Sequence, residues 1–310
     1  MEKVFTNKIK SVYGRLTLFA AVVISLLFIN NVYADGTKKL EQKSFDVKPG
    51  EKLTINLVVG DVKIKTWDKN ECSITVYGNS GAEKNVKYEF EKISTGVKIK
   101  SEKTGGWLKN LLGTNVDMKF EILVPKDFEL DIETSGGDID INNVNGSKFI
   151  HTSGGDVNLE STSGTVKLTT SGGDISIESQ KGNIDLETSG GDISGKNIVG
   201  DLKGETSGGD INVEVSNGKV DLETSGGDIK FKYKGENKGI SLRTSGGDVN
   251  AIVPSTIKAD ADFYTYGGEI ECKVSATKTT KVSSQKFIAE LNGGGPKFII
   301  GTSGGDIVVE

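Results

Sequence analysis

From residue 130 onward apolar and polar residues alternate in short runs that recur along the chain. Ile175 and Ile177 share one side of a run while Ser176 and Glu178 share the other, and Ile184 and Leu186 repeat the arrangement nine residues later. Alternation with period two is the signature of a half-buried β-strand. Similar columns read Val157/Leu159, Ile211/Val213 and Ile229/Phe231 on one wall, and Val166/Leu168, Val220/Leu222 and Ile240/Leu242 on the other. Two sheets facing each other across a narrow aliphatic core are predicted.

The corners between the runs repeat as well. The pentapeptide TSGGD begins at Thr134, Thr152, Thr170, Thr188, Thr206, Thr224, Thr244 and Thr302, and an altered copy, TYGGE, begins at Thr265. The first six starts are 18 residues apart, and each 18-mer divides into two nonapeptides. Such self-similarity marks a solenoid. The predicted fold is therefore all-β, a parallel two-sheet β-solenoid with coils spaced about 4.8 Å apart. Its regular part spans 130–251, followed by divergent coils and a C-terminal cap over 252–310. Residues 35–129 form an irregular β-rich N-terminal cap region, with a separate N-terminal β-sandwich as the alternative.

Corner residues carry their own expectations. Paired glycines such as Gly172-Gly173 are expected to supply positive φ, and the corner Thr and Ser to form hydroxyl ladders from coil to coil. Gly195 and Gly204 occupy inward slots on opposite walls, which predicts a thin and locally weak layer.

Composition narrows the function. Glycine, at 41 of 310 residues, is near twice the usual share of about 7%, yet proline numbers only four, as suits many turns without a disordered linker. Residues 1–34 place Lys3, Lys8, Lys10 and Arg15 before the apolar stretch LTLFAAVVISLLFI, and Ala34 precedes Asp35. This is the layout of a signal peptide, and it predicts an exported mature chain without a transmembrane segment that is periplasmic, cell-surface or secreted. The whole chain carries −5, and Arg243 is the only arginine beyond the leader. That balance argues against nucleic acid as a partner. Cys72, Cys272 and the single His151 do not make an ordinary zinc site, and the two thiols are expected to be buried and unpaired.

The run Val59-Gly60-Asp61-Val62-Lys63-Ile64, the following Trp67-Asp68, the Val124-Pro125 step before Leu130 and the serial Ser-Gly-Gly-Asp turns together resemble the bacterial β-strand-repeat family of unknown function often labelled "putative adhesin". The resemblance covers nearly all of the mature chain. It implies a β-solenoid at the cell envelope, with adhesion or envelope sensing as its role and no catalytic residues to carry over.

Candidate chemistry remains sparse. Asp138, Asp156, Asp174, Asp192, Asp210, Asp228 and Asp248 should stack along one edge, where like charges about 5 Å apart need relief. One relief is a carboxylate that caps its own turn by accepting backbone N–H groups; the other is calcium. The direct Gly-Gly-Asp order favours capping. Asp185 and Glu187 could be imagined as an acid/base pair, but they and His151 fall in outward columns of a regular face. Partner-contact candidates lie where the repeat breaks: Trp107, Leu108, Leu111 and Leu112 in one interruption, and Phe263, Tyr264 and Tyr266 at the altered corner. The resulting expectation is a non-enzymatic envelope scaffold or adhesin-like protein that needs no cofactor and meets a protein or glycan. The alternatives are an envelope-stress sensing module and a glycan-cleaving solenoid enzyme.

Overall fold

The computed structural model describes residues 36–104 and 115–310. The signal-like leader and the candidates Trp107, Leu108, Leu111 and Leu112 lie outside these residues. The described chain starts with β1 (Lys38–Asp46), β2 (Lys52–Leu57), β3 (Asp61–Trp67) and β4 (Glu71–Gly78), then the short helix α1 (Ser80–Asn85), β5 (Val86–Ile93), β6 (Gly96–Lys103) and β7 (Met118–Pro125). From β8 (Glu129–Thr134) and β9 (Ile139–Asn142) to β20 (Ile240–Thr244) and β21 (Val249–Ile252), successive strands alternate between a 14-stranded and a 13-stranded sheet. Neighbours along this stretch are parallel and in register, as in the pairing of Ile175 with Val157 and Ile193. The expected solenoid is thus the observed one. Its walls meet through fully buried aliphatics such as Leu168, Ile175 and Leu222.

The N-terminal strands belong to the same stack. β2 pairs with β8 and β3 with β9, so the coil containing Gly60-Asp61-Val62 lies directly on the regular coils. The coil formed by β6 and β7 sits outside it. Beyond that, β4 and then β1 continue the 13-stranded sheet in antiparallel fashion, and β5 continues the other.

At the far end, position in the stack also departs from position in the chain. The remaining strands are β22 (Ala259–Tyr264), β23 (Ile270–Cys272), β24 (Ala276–Ser283), β25 (Lys286–Leu291), β26 (Lys297–Gly301) and β27 (Ile307–Val309). The last coil, β26 with β27, inserts between β20/β21 and β22/β23. A physical reason lies in the corners. The inner coil carries an unaltered TSGGD that bonds to neighbours on both sides, whereas the outer coil carries TYGGE and bonds to one. After β22, the 14-stranded sheet runs on through β25 and β24, both antiparallel, while the 13-stranded sheet stops at β23.

Candidate functional site

The corner columns are where the repeat concentrates polar side chains, and the structure assigns them to backbone bonding. Asp156, Asp174, Asp192, Asp210, Asp228 and Asp248 each donate a backbone N–H to Oδ1 of the aspartate one coil earlier, at 2.7–2.9 Å. The column starts at Asp61, which accepts from the Asp138 amide at 3.0 Å, and ends where Asp306 accepts from Glu269 at 2.8 Å. Capping therefore runs between coils, which corrects the expectation that each carboxylate caps its own turn. The parallel register brings the next coil's amide to the carboxylate, and charge-assisted bonds of this kind offset the repulsion along the column. Burial pushes the Asp61 carboxyl above its usual range. Among the described residues no three His, Cys, Asp or Glu side chains gather as a metal-holding group.

Threonines complete the corner. Thr188 Oγ1 donates to the Gly173 carbonyl of the preceding coil at 3.1 Å and accepts from the Gly191 amide at 3.3 Å. Thr206, Thr224, Thr244 and Thr302 repeat this, whereas Thr134 and Thr152 donate within their own turns, to Gly136 and Gly154. The ladder is hydroxyl to carbonyl, not hydroxyl to hydroxyl, because the buried side chains of Thr188, Thr206 and Thr224 point at the backbone of the preceding coil. The role of the glycines changes too. Gly155 does sit at φ 102°, but Gly173 is not in the left-handed region; a Cβ there would lie 1.9 Å from the Gly155 carbonyl oxygen. Close stacking of one corner on the next is what excludes a side chain.

Two inward features depart from the aliphatic pattern. Lys148 occupies a core slot between Leu130 and Val166, is 2% exposed, and donates from Nζ to the carbonyls of Gly146 (3.0 Å) and Ser163 (2.9 Å). Burial pushes its pKa down to about 8. Nearby in the stack, Gln180 and Thr162 are buried and hydrogen-bonded to each other. The sequence signal was available, since Lys148 keeps the parity of Ile150. As for the inward glycines, the layer at Gly195 is not thin: a Cβ there would meet Ile198 Cδ1 at 2.7 Å, and one at Gly204 would meet Leu222 Cδ2 at 3.1 Å. Neighbouring side chains have moved into the space.

The regular faces are flat. His151 is half-buried between Glu133 and Thr169 on adjacent strands, and Asp185 and Glu187 lie on the same outer face. One aromatic that sequence reading passed over, Phe149, stands 50% exposed there. Cys72 is buried, and burial pushes its thiol up to about 12; Cys272 is only half-buried, correcting that half of the expectation.

The two ends differ in chemistry. At the N-terminal end β1 reaches across to β5: Lys43 Nζ contacts the Phe90 carbonyl at 3.5 Å and lies 5.3 Å from the Phe45 ring. Tyr88 packs edge-on against Phe120 at 6.3 Å, which seals the core, and a shallow groove of about 450 Å³ runs past Glu41, Lys43, Tyr88 and Lys100. At the C-terminal end Phe263 is fully buried against Phe287 and Phe298, with ring centres 5.5 and 5.0 Å away. That placement removes Phe263 from the partner-contact candidates. Tyr264 is half-buried, its ring over Gly301, where a Cβ would lie 2.4 Å from Cζ. Tyr266 is 73% exposed, and so are all eight residues of β24, including Val282 at 66%.

A putative adhesin from Bacteroides fragilis NCTC 9343 is 13% identical over 87% of this chain and 96% of its own, with a TM-score of 0.42. A putative adhesin from Parabacteroides distasonis ATCC 8503 is 13% identical over 86% and 96%, with a TM-score of 0.35. A putative cell adhesion protein from Clostridium sporogenes ATCC 15579 is 12% identical over 87% and 98%, with a TM-score of 0.21. No curated protein matches. The description Toastrack DUF4097 matches residues 50–310, and the chain belongs to that family.

Proposed function

We propose that the protein is a non-enzymatic, exported scaffold of the cell envelope that recognises its partner at the C-terminal end of the stack. The observation that carries this reading is the distribution of exposed side chains. Corner Asp and Thr groups are engaged between coils, whereas Tyr266, Val282 and the whole of β24 are presented to solvent at one end of a stacked core. An exposed tyrosine beside a free strand suits recognition, since aromatic anchors dominate binding energy. The basic, apolar start of the chain supports export.

Two measurements test it. N-terminal sequencing of the protein recovered from its native cells should begin at Asp35; a mature protein that retains Met1 defeats the export half. Labelled protein should bind one of the cell-wall, membrane or extracellular-matrix preparations offered to it, and Tyr266→Ala should abolish that binding while leaving thermal unfolding unchanged. Binding that survives Tyr266→Ala, or no binding to any preparation, defeats the recognition half.

A further inference from the structure

β24 is held by one neighbour. It pairs with β25 on one side, and among the described residues no strand pairs with its other edge. Register places Ala276, Thr279 and Val282 opposite Leu291, Ala289 and Phe287, so those three share the core-facing side of the sheet. Across from them the 13-stranded sheet has already ended at β23. The result is a one-strand ledge: β25 still buries Ala289 and Leu291 in the core, whereas β24 beyond it carries small and β-branched residues on its inner side without an opposing layer.

The ledge is also locally basic. Residues 273–286 contain Lys273, Lys278, Lys281 and Lys286 and no Asp or Glu, within a chain of net charge −5. Lys278 pairs with Glu290 at 3.4 Å, Lys273 with Glu310 at 3.1 Å, and Lys286 with Asp262. Among the described residues no carboxylate pairs with Lys281. Lys278 and Lys281 lie opposite Glu290 and Ile288, on the outer side of the strand. Lysines and the two irregularities in the β24 register are devices that keep an edge from pairing indiscriminately. They also choose a partner. A second copy laid antiparallel about Thr279 and Thr280 would set Lys278 against Lys281 twice, and like charges directly opposite destabilise a sheet. A strand with carboxylates on one side and β-branched residues on the other would neutralise the lysines and cover the ledge.

We propose that the free edge of β24 accepts an extended acidic segment of a partner protein as an added strand, with its apolar side over Ala276, Thr279 and Val282 and its carboxylates against Lys278 and Lys281. The proposal rests on the reading of this end as the recognition end. Strand addition draws affinity from main-chain hydrogen bonds and selectivity from alternate side chains, which are the two things the edge offers.

The test uses the full chain and three fluorescein-labelled peptides, VEVETEVEV, its lysine counterpart VKVKTKVKV, and the interrupted VEVEPEVEV. Fluorescence anisotropy should show saturable binding of the first, weaker by about tenfold or more for the other two, and weakened by salt because the lysines are exposed. The double variant Lys278→Glu/Lys281→Glu should invert the preference toward VKVKTKVKV while its unfolding midpoint stays within about 2 °C of the parent, as expected for surface substitutions. Absence of saturable binding, equal binding of the two charged peptides, an unchanged preference in the double variant, or dimers of the parent chain that the double variant abolishes would each overturn it. The two proposals fail separately. Peptide binding without any envelope or matrix binding defeats the recognition reading, whereas envelope binding untouched by Lys278→Glu/Lys281→Glu defeats strand addition.

Discussion

The two ends of the stack solve the same problem in opposite ways. Each must stop a pair of sheets without leaving the core open, and each tucks the first or last coil of the described chain one place inward, β2/β3 at one end and β26/β27 at the other. At the N-terminal end the closure is then completed by reach, with Lys43 on the Phe90 carbonyl and Tyr88 over Phe120. At the C-terminal end the core is closed one layer earlier by Phe263, Phe287 and Phe298, and β24 continues beyond with every residue exposed. A strand that buries nothing adds little to folding. Its continuation past a finished core is what separates the C-terminal end from the sealed N-terminal one.

The tucked coil offers the largest lever on this contrast. Phe298 is fully buried between Ile240 and Ala261 on neighbouring strands, so Phe298→Ala should cost about 3–5 kcal/mol in urea unfolding through lost burial and a cavity. A loss below about 1 kcal/mol, the level of an exposed or relaxed site, would mean that the last coil is peripheral and not a closing element.

Buried charge separates the halves next. Among the described residues Lys148 is the only buried lysine, and it lies toward the sealed end. Its folded pKa of about 8 is below the ordinary 10.5, so the unfolded chain binds this proton more tightly. Stability should therefore rise with pH from about 8 to 10.5, by up to about 3 kcal/mol, and be flat for this group on either side. Lys148→Met should remove that rise and stabilise the protein at pH 7. An identical pH profile in the two proteins would show that the amine is solvated in the fold.

Much of this architecture was legible in the chain, and the reasons are specific. Ile175, Ile177, Ile184 and Leu186 announce two faces because a period of two survives any local detail, and TSGGD announces stacking because only a repeated environment selects a repeated corner. What could not be read was set by contacts between coils. The bond from each aspartate to the following coil, the squeeze of Gly173 on the Gly155 carbonyl, and the insertion of β26/β27 out of chain order are all relations across 15 or more residues. Lys148 gives conflicting signals: its parity with Ile150 points inward while its charge suggests a surface, and the two carbonyls that hold its ammonium group become visible only when the corner is built. At the candidate site, Tyr266 was found as a break in the corner motif, whereas β24 was not, because Thr and Lys on a strand look the same whether or not another sheet lies across from them.

The aspartate column turns the comparison into an interior-against-end measurement. Asp228 accepts the Asp248 amide at 2.8 Å, so Asp228→Ala should cost about 1 kcal/mol, moderated because the residue is only half-buried and its removal relieves charge. Glu269 ends the column, and its replacement by Ala should cost nothing measurable, since its amide and not its carboxylate makes the ladder bond. Equal losses at the two positions would show that the column contributes by charge alone. Asp228→Asn, which keeps an acceptor oxygen, should recover most of the loss.

The smallest effect bears most directly on why the two ends differ. Phe90 is half-buried, 5.4 Å from Tyr88 and beneath Lys43, so Phe90→Ser should lower stability by about 1–2 kcal/mol as partly buried aromatic surface returns to water. Val282 is 66% exposed on an edge strand, and Val282→Ser should change stability by no more than about 0.5 kcal/mol. Matched urea midpoints for Val282→Ser and the parent, beside a displaced midpoint for Phe90→Ser, would mark β24 as surface maintained for contact. A loss at Val282 as large as at Phe90 would instead show that the ledge folds back onto the core in solution, leaving both ends sealed and removing the physical ground for recognition at either.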